Sequence, residues 1–579
     1  MGNWKMGAGR GVSVALTGSG GAGVMTAGTL LLEAAARAGL YGLMVRTSGP
    51  QIRGGEAAAL LRVAATEVSG LDDRCDLLVA LDWQNVHRFA DEIPLDASSC
   101  VISDAASGEV PETFARTGAS VFDVGFKAIT KSIPGSWPNM IALGVAAGAI
   151  GIPVATVELV IERSLKRGRD RLQASIAAAR EGYSAGQAAA AAAGIKQVTP
   201  AEVAQRRWML SGNEATGFGA VRGGVRFVAA YPITPATEVL EWLASALPDV
   251  GGALVQAEDE LASINMVIGA SFGGAPSLTA TAGPGLALMT EALGLAVIAE
   301  IPIVVVDVMR GGPSTGIPAK SEQSDLNLAL WGLPGDAPRV VLAPNSIADC
   351  LATTQWAVHL AETLQTPVIV LSDQFFGQTQ AVIDRPSELD FKTERLVPLA
   401  NEPGYRRYAD TASGISPMAL PGTRGVAYIA ESLEHTERGI PSSSAADHHR
   451  QLEKRARKIA QGDYAERWAD LEGEGNCAVI TFGSATGPVR EALARLRDQG
   501  GSARLISMRV LAPVLPEQFA AALEGVERLL VVEQNHGGQL YRYLRAHYDL
   551  PSEVRSHALP GPLPFRPAEL LAVFESWRR

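Results

Sequence analysis

An α/β protein of several domains with largely parallel sheets is the fold class this sequence predicts, and three observations carry the prediction. Short β-branched and apolar runs alternate with Ala/Leu-rich amphipathic stretches, the pattern of strands covered on both faces by helices. Glycine clusters sit where those runs end, as in GSGGAG (Gly18 to Gly23) and TAGPG (Thr281 to Gly285). The chain has 579 residues, more than one core can hold, since single cores stop growing near ~250–300 residues.

Composition narrows the classes further. Apolar residues make up 47% and charged residues 19%, with 61 Gly and 33 Pro, which excludes a disordered chain, a coiled coil and a collagen-like fibre. The 50 Lys and Arg against 61 Asp and Glu leave a net charge of −11, which argues against nonspecific nucleic-acid binding. Cys75, Cys100, Cys350 and Cys477 lie far apart with no CxxC and no Cys-His cluster. Such spacing alone builds neither a zinc site nor an iron–sulfur cluster, no metal ligand is expected, and the reducing cytoplasm is the expected compartment. The opening MGNWKMGAGR lacks the apolar stretch of a secretory signal. The uncharged run from Met140 to Val157 reads as a buried helix and turn rather than a membrane span, because Gly, Ala and Pro fill it.

Taken in order, Val12 to Thr17 is a strand, Gly18 to Gly23 a turn, and the Ala/Leu-rich stretch through Ala38 a helix. Strands follow at Cys75 to Leu81 and Ser99 to Asp104, and an Ala-rich helix from Leu172 to Ala193 ends at Gly194, closing a first domain over 1–195. A second unit, 196–393, has strands at Val225 to Tyr231, Ser277 to Ala282, Ile301 to Val308 and Thr366 to Asp373, with helical patterns between them. Residues 394–474 break the alternation with Pro, Gly and Ser and then a charged helix, HHRQLEKRARKIAQG, so they read as a linker or excursion. The last unit, 475–579, carries the strands CAVITFG, ARLISMR and RLLVVEQ.

Gly18-x-Gly20-x-x-Gly23, after a strand and before a helix, has the context of a dinucleotide fingerprint, in which the helix N-terminus holds a phosphate. The acidic residue expected about 20 positions on is missing; that region holds Arg46 and Arg53 instead. Arginines there suit an additional phosphate, as on NADP or the 3′-phosphate of coenzyme A, while a tight turn with no ligand explains the glycines equally well. Glu258, Asp259 and Glu260 precede an apolar helix, where acids also simply favour the positive end of the helix dipole. Arg310 ends an apolar strand, the usual place for ligand contacts in open α/β sheets.

The order Glu260, helix, strand, TAGPG, helix, strand resembles the pyrimidine-binding domain of thiamine diphosphate (TPP) enzymes. With GNEA (Gly212 to Ala215), YPITP (Tyr231 to Pro235) and MRGGPSTG (Met309 to Gly316), it resembles the α subunit of the 2-oxoacid:ferredoxin oxidoreductases. GSGGAGVMTAG with IRGGEAA (Ile52 to Ala58) is similar to the γ subunit of that family, fused here ahead of α. VVEQNHGGQL (Val531 to Leu540) is similar to its transketolase-C-like domain, and LEHTERGIPSSSAADHHRQLEKRARK to the 2-oxoglutarate-type α subunits.

The resemblance implies oxidative decarboxylation of a 2-oxo acid, 2-oxoglutarate first and pyruvate or another 2-oxo acid as the alternative. Coenzyme A is the co-substrate, the products are acyl-CoA and CO2, and electrons pass to ferredoxin. By the same resemblance Glu260 meets the aminopyrimidine of TPP, where a carboxyl that exchanges a proton makes the amino group a base. Thr234 and Arg310 match positions that bind the substrate's carboxylate and keto oxygen, and a guanidinium suits a bidentate carboxylate. Gly18, Gly20, Gly23 and Arg46 are the candidates for coenzyme A. The GDG motif that usually holds the diphosphate through Mg2+ does not occur. A separate β subunit carrying Mg2+, the diphosphate and an iron–sulfur cluster is therefore implied, in a dimer of αβ units without a membrane span. A noncatalytic scaffold or an NADP-binding redox module is the competing reading.

Overall fold

The computed structural model describes residues 11–48, 57–84, 86–165, 168–200, 207–391, 393–464 and 466–578. The opening ten residues and most of Ile52 to Ala58, with Arg53, lie outside them. The chain forms two compact units. One contains residues 1–211, 378–387 and 565–574, and the other residues 212–377, 388–564 and 575–579.

The first unit is built on an eight-stranded sheet. Its order is Ser120–Asp123, Cys100–Ser103, Leu77–Ala80, Val12–Gly18, Ala57–Ala64, Tyr41–Ser48, Gln380–Ile383, Trp208–Ser211. The first four strands pair in parallel. The rest are antiparallel; only a short return joins Tyr41–Ser48 to Ala57–Ala64, while Gln380–Ile383 reaches its two neighbours from far along the chain. The uncharged run that began at Met140 is the helix Pro138–Ile150, with every residue from Met140 on buried. It packs on Arg169–Ala193 through glycines placed backbone to backbone. A Cβ on Gly144 would stand 2.0 Å from the Ala179 carbonyl oxygen, and one on Gly186 2.1 Å from that of Val145. The composition that resembled a membrane segment is thus spent on close helix contact. Among the described residues no helix is long and apolar enough to cross a membrane.

The second unit holds two sheets. The larger runs Val510–Ala512, Val340–Leu342, Pro367–Asp373, Ile303–Met309, Ser277–Thr281, Phe227–Ala230, Ala253–Gln256. All of its pairs are parallel except the one made by Val510–Ala512. The smaller runs Ala469–Glu472, Arg504–Met508, Cys477–Phe482, Arg528–Glu533, Glu553–Ala558, and is parallel but for its first pair. The central strand IVVVDVM is buried at every residue, the signature of a sheet covered on both faces.

The stretch 394–474 has little regular structure apart from the helix Ala445–Ala460, yet it carries deeply buried polar groups. Lys454 Nζ lies 2.5 Å from Glu300 Oε1 and Lys458 Nζ 2.8 Å from Glu300 Oε2. Lys458 also donates to the Gln365 carbonyl, and Arg407 to the carbonyl of Glu300 itself. Glu300, fully buried just ahead of the strand Ile303–Met309, is thus one acid that ties this stretch down, and Glu362, paired with Arg395, is another.

Candidate functional site

Four adjacent parallel strands of the large sheet deliver the candidate residues at their carboxyl ends, where open α/β sheets bind ligands. Phe227–Ala230 leads into YPITP, Ala253–Gln256 into Glu260, Ser277–Thr281 into the GPG turn, and Ile303–Met309 into Arg310. The three acids ahead of the helix Glu260–Phe272 separate by environment. Asp259 is the N-cap, its Oδ1 accepting the Ala262 N–H at 2.7 Å, and Glu258 is exposed. Only Glu260 is buried, at 7% exposure.

Glu260 lies against the GPG turn. A Cβ on Gly285 would stand 2.0 Å from Thr281 Oγ1 and 2.9 Å from Glu260 Oε1, so no larger residue leaves this carboxylate where it is. Gly283 lies against a different acid, Asp325, whose Oδ1 would be 2.6 Å from an added Cβ. The turn thus separates two carboxyl groups.

Arg310 and Thr234 meet directly: Arg310 Nη1 donates to the Thr234 carbonyl at 2.5 Å. The guanidinium is buried, and burial lowers its pKa against the opposing charges of Asp325 and Asp307. Among the described residues its Nε has no hydrogen-bond partner. Asp307, within the apolar strand, is fully buried, and among the described residues neither of its oxygens has a hydrogen-bond partner. Burial, with Asp325 adding to it, raises its pKa well above the carboxylate range. Burial also lifts Asp325 to about 6.

The segment after Arg310 folds back on itself. Ile317 N–H donates to the Gly311 carbonyl at 2.8 Å, and at Gly316, with φ of 49°, a Cβ would lie 1.7 Å from that oxygen. Only glycine fits there. The returning strand of chain is held by the EQNHGGQ motif. Gln534 and Gln323 exchange backbone and side-chain hydrogen bonds, and Gln539 Nε2 donates to the Ser324 carbonyl at 2.9 Å. Glu533 accepts the Leu540 and Tyr541 N–H groups, capping the helix Gln539–His547 that presents Gln539. The motif is a scaffold for the Arg310–Asp325 loop.

In the first unit, Gly18 ends the strand Val12–Gly18, Gly20 lies exposed in the turn, and Gly23 precedes the helix Val24–Arg37. Gly23 has φ of 82°, and a Cβ there would strike Asn139 Nδ2 at 2.3 Å. The Ser19 N–H and hydroxyl are already taken by Asp82, at 3.0 and 2.8 Å. Arg46 is exposed on Tyr41–Ser48, in register with Ala59 of the strand between it and Val12–Gly18. It therefore stands about 10 Å, two strand spacings, from the strand that ends in the glycine turn.

Sequence reasoning singled out Glu260, Thr234 and Arg310, which follow the carboxyl ends of strands in one sheet, but missed Asp82, Asp307 and Asp325. The lone acid in IVVVDVM was a readable signal, since an unpaired charge inside a buried strand is costly. The four cysteines are free and buried, and burial pushes Cys75 and Cys100 up to about 12. Among the described residues no three His, Cys, Asp or Glu side chains gather in a way that could hold a metal.

Two family models match. "Pyruvate flavodoxin/ferredoxin oxidoreductase, thiamine diP-bdg" covers residues 218–455, and "Pyruvate ferredoxin/flavodoxin oxidoreductase" covers residues 13–185. The 2-oxoglutarate synthase subunit KorA of Methanothermobacter marburgensis is 36% identical over 370 residues, which span 63% of this chain and 97% of that protein. The 2-oxoglutarate oxidoreductase subunit KorA of Mycobacterium tuberculosis is 31% identical over 532 residues, 85% of this chain and 80% of that one. The solved 2-oxoglutarate:ferredoxin oxidoreductase of Magnetococcus marinus, with 2-oxoglutarate, coenzyme A and succinyl-CoA bound, is 35% identical. Its TM-score is 0.90, over 98% of this chain and 100% of that one.

Proposed function

The chain belongs to the 2-oxoacid:ferredoxin oxidoreductase family, and on that premise we propose that it is the γ-fused α subunit of an enzyme that decarboxylates 2-oxoglutarate. With coenzyme A the products are succinyl-CoA and CO2, and the two electrons released go to ferredoxin. The observation that carries this reading is the convergence of Glu260, Thr234 and Arg310 on the carboxyl ends of adjacent parallel strands. The choice of 2-oxoglutarate over pyruvate rests on the names of the relatives.

The residues present fit the aminopyrimidine half of thiamine diphosphate. On the Gly285 side of the turn, where an added Cβ would strike it, lies the buried carboxylate of Glu260. When bound, thiamine diphosphate supplies the nucleophilic carbon and the electron sink for decarboxylation. Glu260 would hold the ring nitrogen N1′ and move a proton there. Arg310, steadied by the Thr234 carbonyl, would orient the oxo acid through its carboxylate, with Thr234 beside the keto oxygen. The diphosphate, its Mg2+ and the iron–sulfur cluster belong in this reading to a separate β subunit, in a dimer of αβ units in the cytoplasm. Gly18, Gly20, Gly23 and Arg46 are proposed to meet coenzyme A, within the functional division 1–195, 196–393, 394–474 and 475–579. Asp82, already bonded to Ser19, leaves the phosphate contact to Arg46 and the rest of the turn.

The test is purification with the β partner, followed by coenzyme A-dependent viologen reduction across 2-oxo acids. We expect the highest kcat/KM with 2-oxoglutarate, and an Arg46→Ala enzyme that loses more affinity for coenzyme A than for dephospho-coenzyme A. Faster turnover of pyruvate would reassign the substrate, and reduction of NADP without coenzyme A would favour the redox-module reading.

A further inference from the structure

We propose that a groove in the second unit, framed by the helices Leu326–Trp331, Ala445–Ala460 and Gln539–His547, binds an apolar monocarboxylate, an aryl or alkyl chain ending in one acid group.

The groove has two joined halves. One, of about 460 Å3, extends to Asp336 and Glu453, and the other, of about 310 Å3, to Val514 and His547. Leu330, Trp331, Pro338, Arg339 and Ala456 line both. Volumes of this order suit small-molecule sites, which are mostly apolar with a few placed polar groups. Neither Glu260 nor Arg310 lines either half, so the groove is separate from the thiamine and oxo-acid residues. One wall is the outer face of the helix Ala445–Ala460. Lys454 and Lys458 turn inward to Glu300, which leaves the small side chains of Ala456 and Ala460 exposed along the groove. Opposite them Trp331, 56% exposed, stacks on His547 with ring centroids 5.3 Å apart. That is a flat apolar surface for an aryl or alkyl body.

Arg339 selects the charge. It is 8% exposed, and its Nε donates to the Ala329 carbonyl at 2.7 Å, Nη1 to that of Ala337 at 2.8 Å and Nη2 to that of Leu330. A guanidinium has five N–H groups, so one on each Nη is left for a ligand. All three acceptors are neutral. Among the described residues no carboxylate pairs with Arg339; the acids of the groove are Asp336, which makes no ion pair, and Glu453, which faces His449. Burial is accordingly what acts on this guanidinium, drawing its pKa down to about 10. A desolvated cation without a countercharge is costly, and the carbonyls ending a six-residue helix offset only part of that. A ligand carboxylate supplies the charge through charge-assisted hydrogen bonds.

The two ends of the groove limit the ligand to one acid group. Asp336 and Glu453, exposed at one end, repel a second anion. The other half has no acid in its lining and offers Ile459, Pro513, Val514 and Tyr543, so the apolar body extends that way. His547 Nε2, buried there without a partner among the described residues, can meet one polar substituent on that body.

Calorimetry on the complete αβ enzyme tests the site with 4-phenylbutyrate, an aryl chain with one carboxylate, and with 4-phenylbutylamine, its cationic counterpart. We expect saturable binding of one 4-phenylbutyrate per chain, at least about tenfold tighter than the amine. Ala456→Trp and, separately, Ala460→Trp fill the groove from an exposed helix face. Each should abolish that binding while 2-oxoglutarate turnover stays at the wild-type rate, and either variant decides if the other does not fold. Absence of saturable binding overturns the proposal, as does affinity for the amine equal to or above that for the acid. Full binding in both Trp variants, or displacement of the probe by excess 2-oxoglutarate, would place it elsewhere and overturn the site as well.

Discussion

The consecutive acids Glu258, Asp259 and Glu260 show how one helical step decides a role. Asp259 closes the helix as its cap, and the next side chain turns inward against Gly285. Glu260→Gln keeps the shape but not the proton exchange, so turnover should fall by about 10²–10⁴-fold. C2 proton exchange of bound thiamine diphosphate should fall in parallel, as isotope exchange in the αβ complex would measure. Asp259→Ala should instead cost about 1 kcal/mol of stability and leave exchange near normal. A normal exchange rate in Glu260→Gln would shift the catalytic assignment elsewhere. The acid triplet was legible because it precedes an apolar run, as was Arg310 at a strand end. Asp325 was not: it reaches Gly283 only through the fold-back at Gly316, and no local pattern encodes that return.

At the scale of elements, the strands read from β-branched runs formed within a residue or two of their expected ends; Ser277 to Ala282, for instance, is Ser277–Thr281. The burial within the helix Ala445–Ala460 was harder to read, because its charges suggest a solvated surface. Lys454, Arg455 and Lys458 are the exceptions; Glu300 is the shared partner of the two lysines, one turn apart, and Glu434 pairs with Arg455. Burial alone would raise Glu300, but Lys454, Lys458 and Arg407 outweigh it and hold it far below the carboxylate range, while burial drops Lys458 to about 7. A carboxyl depressed in the folded state stabilises at every pH above its unfolded value of about 4.3, and that contribution is lost as pH falls below it. Glu300→Gln should therefore cost about 3–5 kcal/mol at pH 7, as expected when one partner of a buried pair is removed. It should also flatten the loss of stability between pH 4 and 2. Denaturant titrations at pH 7, 4 and 3 would test both.

At the scale of the whole molecule, alternation and glycine turns foretold α/β sheets but not which distant segments complete them. Gln380–Ile383 inserts between Tyr41–Ser48 and Trp208–Ser211, and nothing in the local pattern of residues 1–195 requires it. The segment 565–574 likewise returns to the first unit: Arg566 donates to the carbonyls of Asp72 and Glu92, and Ala568 N–H to Asp73. A fragment of residues 1–211 should accordingly aggregate, since it bares a strand edge that the intact chain pairs. Fusing residues 378–387 to that fragment should lower its light scattering; equal solubility of the two would contradict the role given to the strand. The same interleaving sets a timetable on the ribosome. After Ser211 emerges, roughly 170 more residues must be made before Gln380–Ile383 arrives, about 10–30 s at ~5–20 residues per second. For that interval the nascent first sheet waits with an open edge, a natural client for a chaperone that binds unpaired strands.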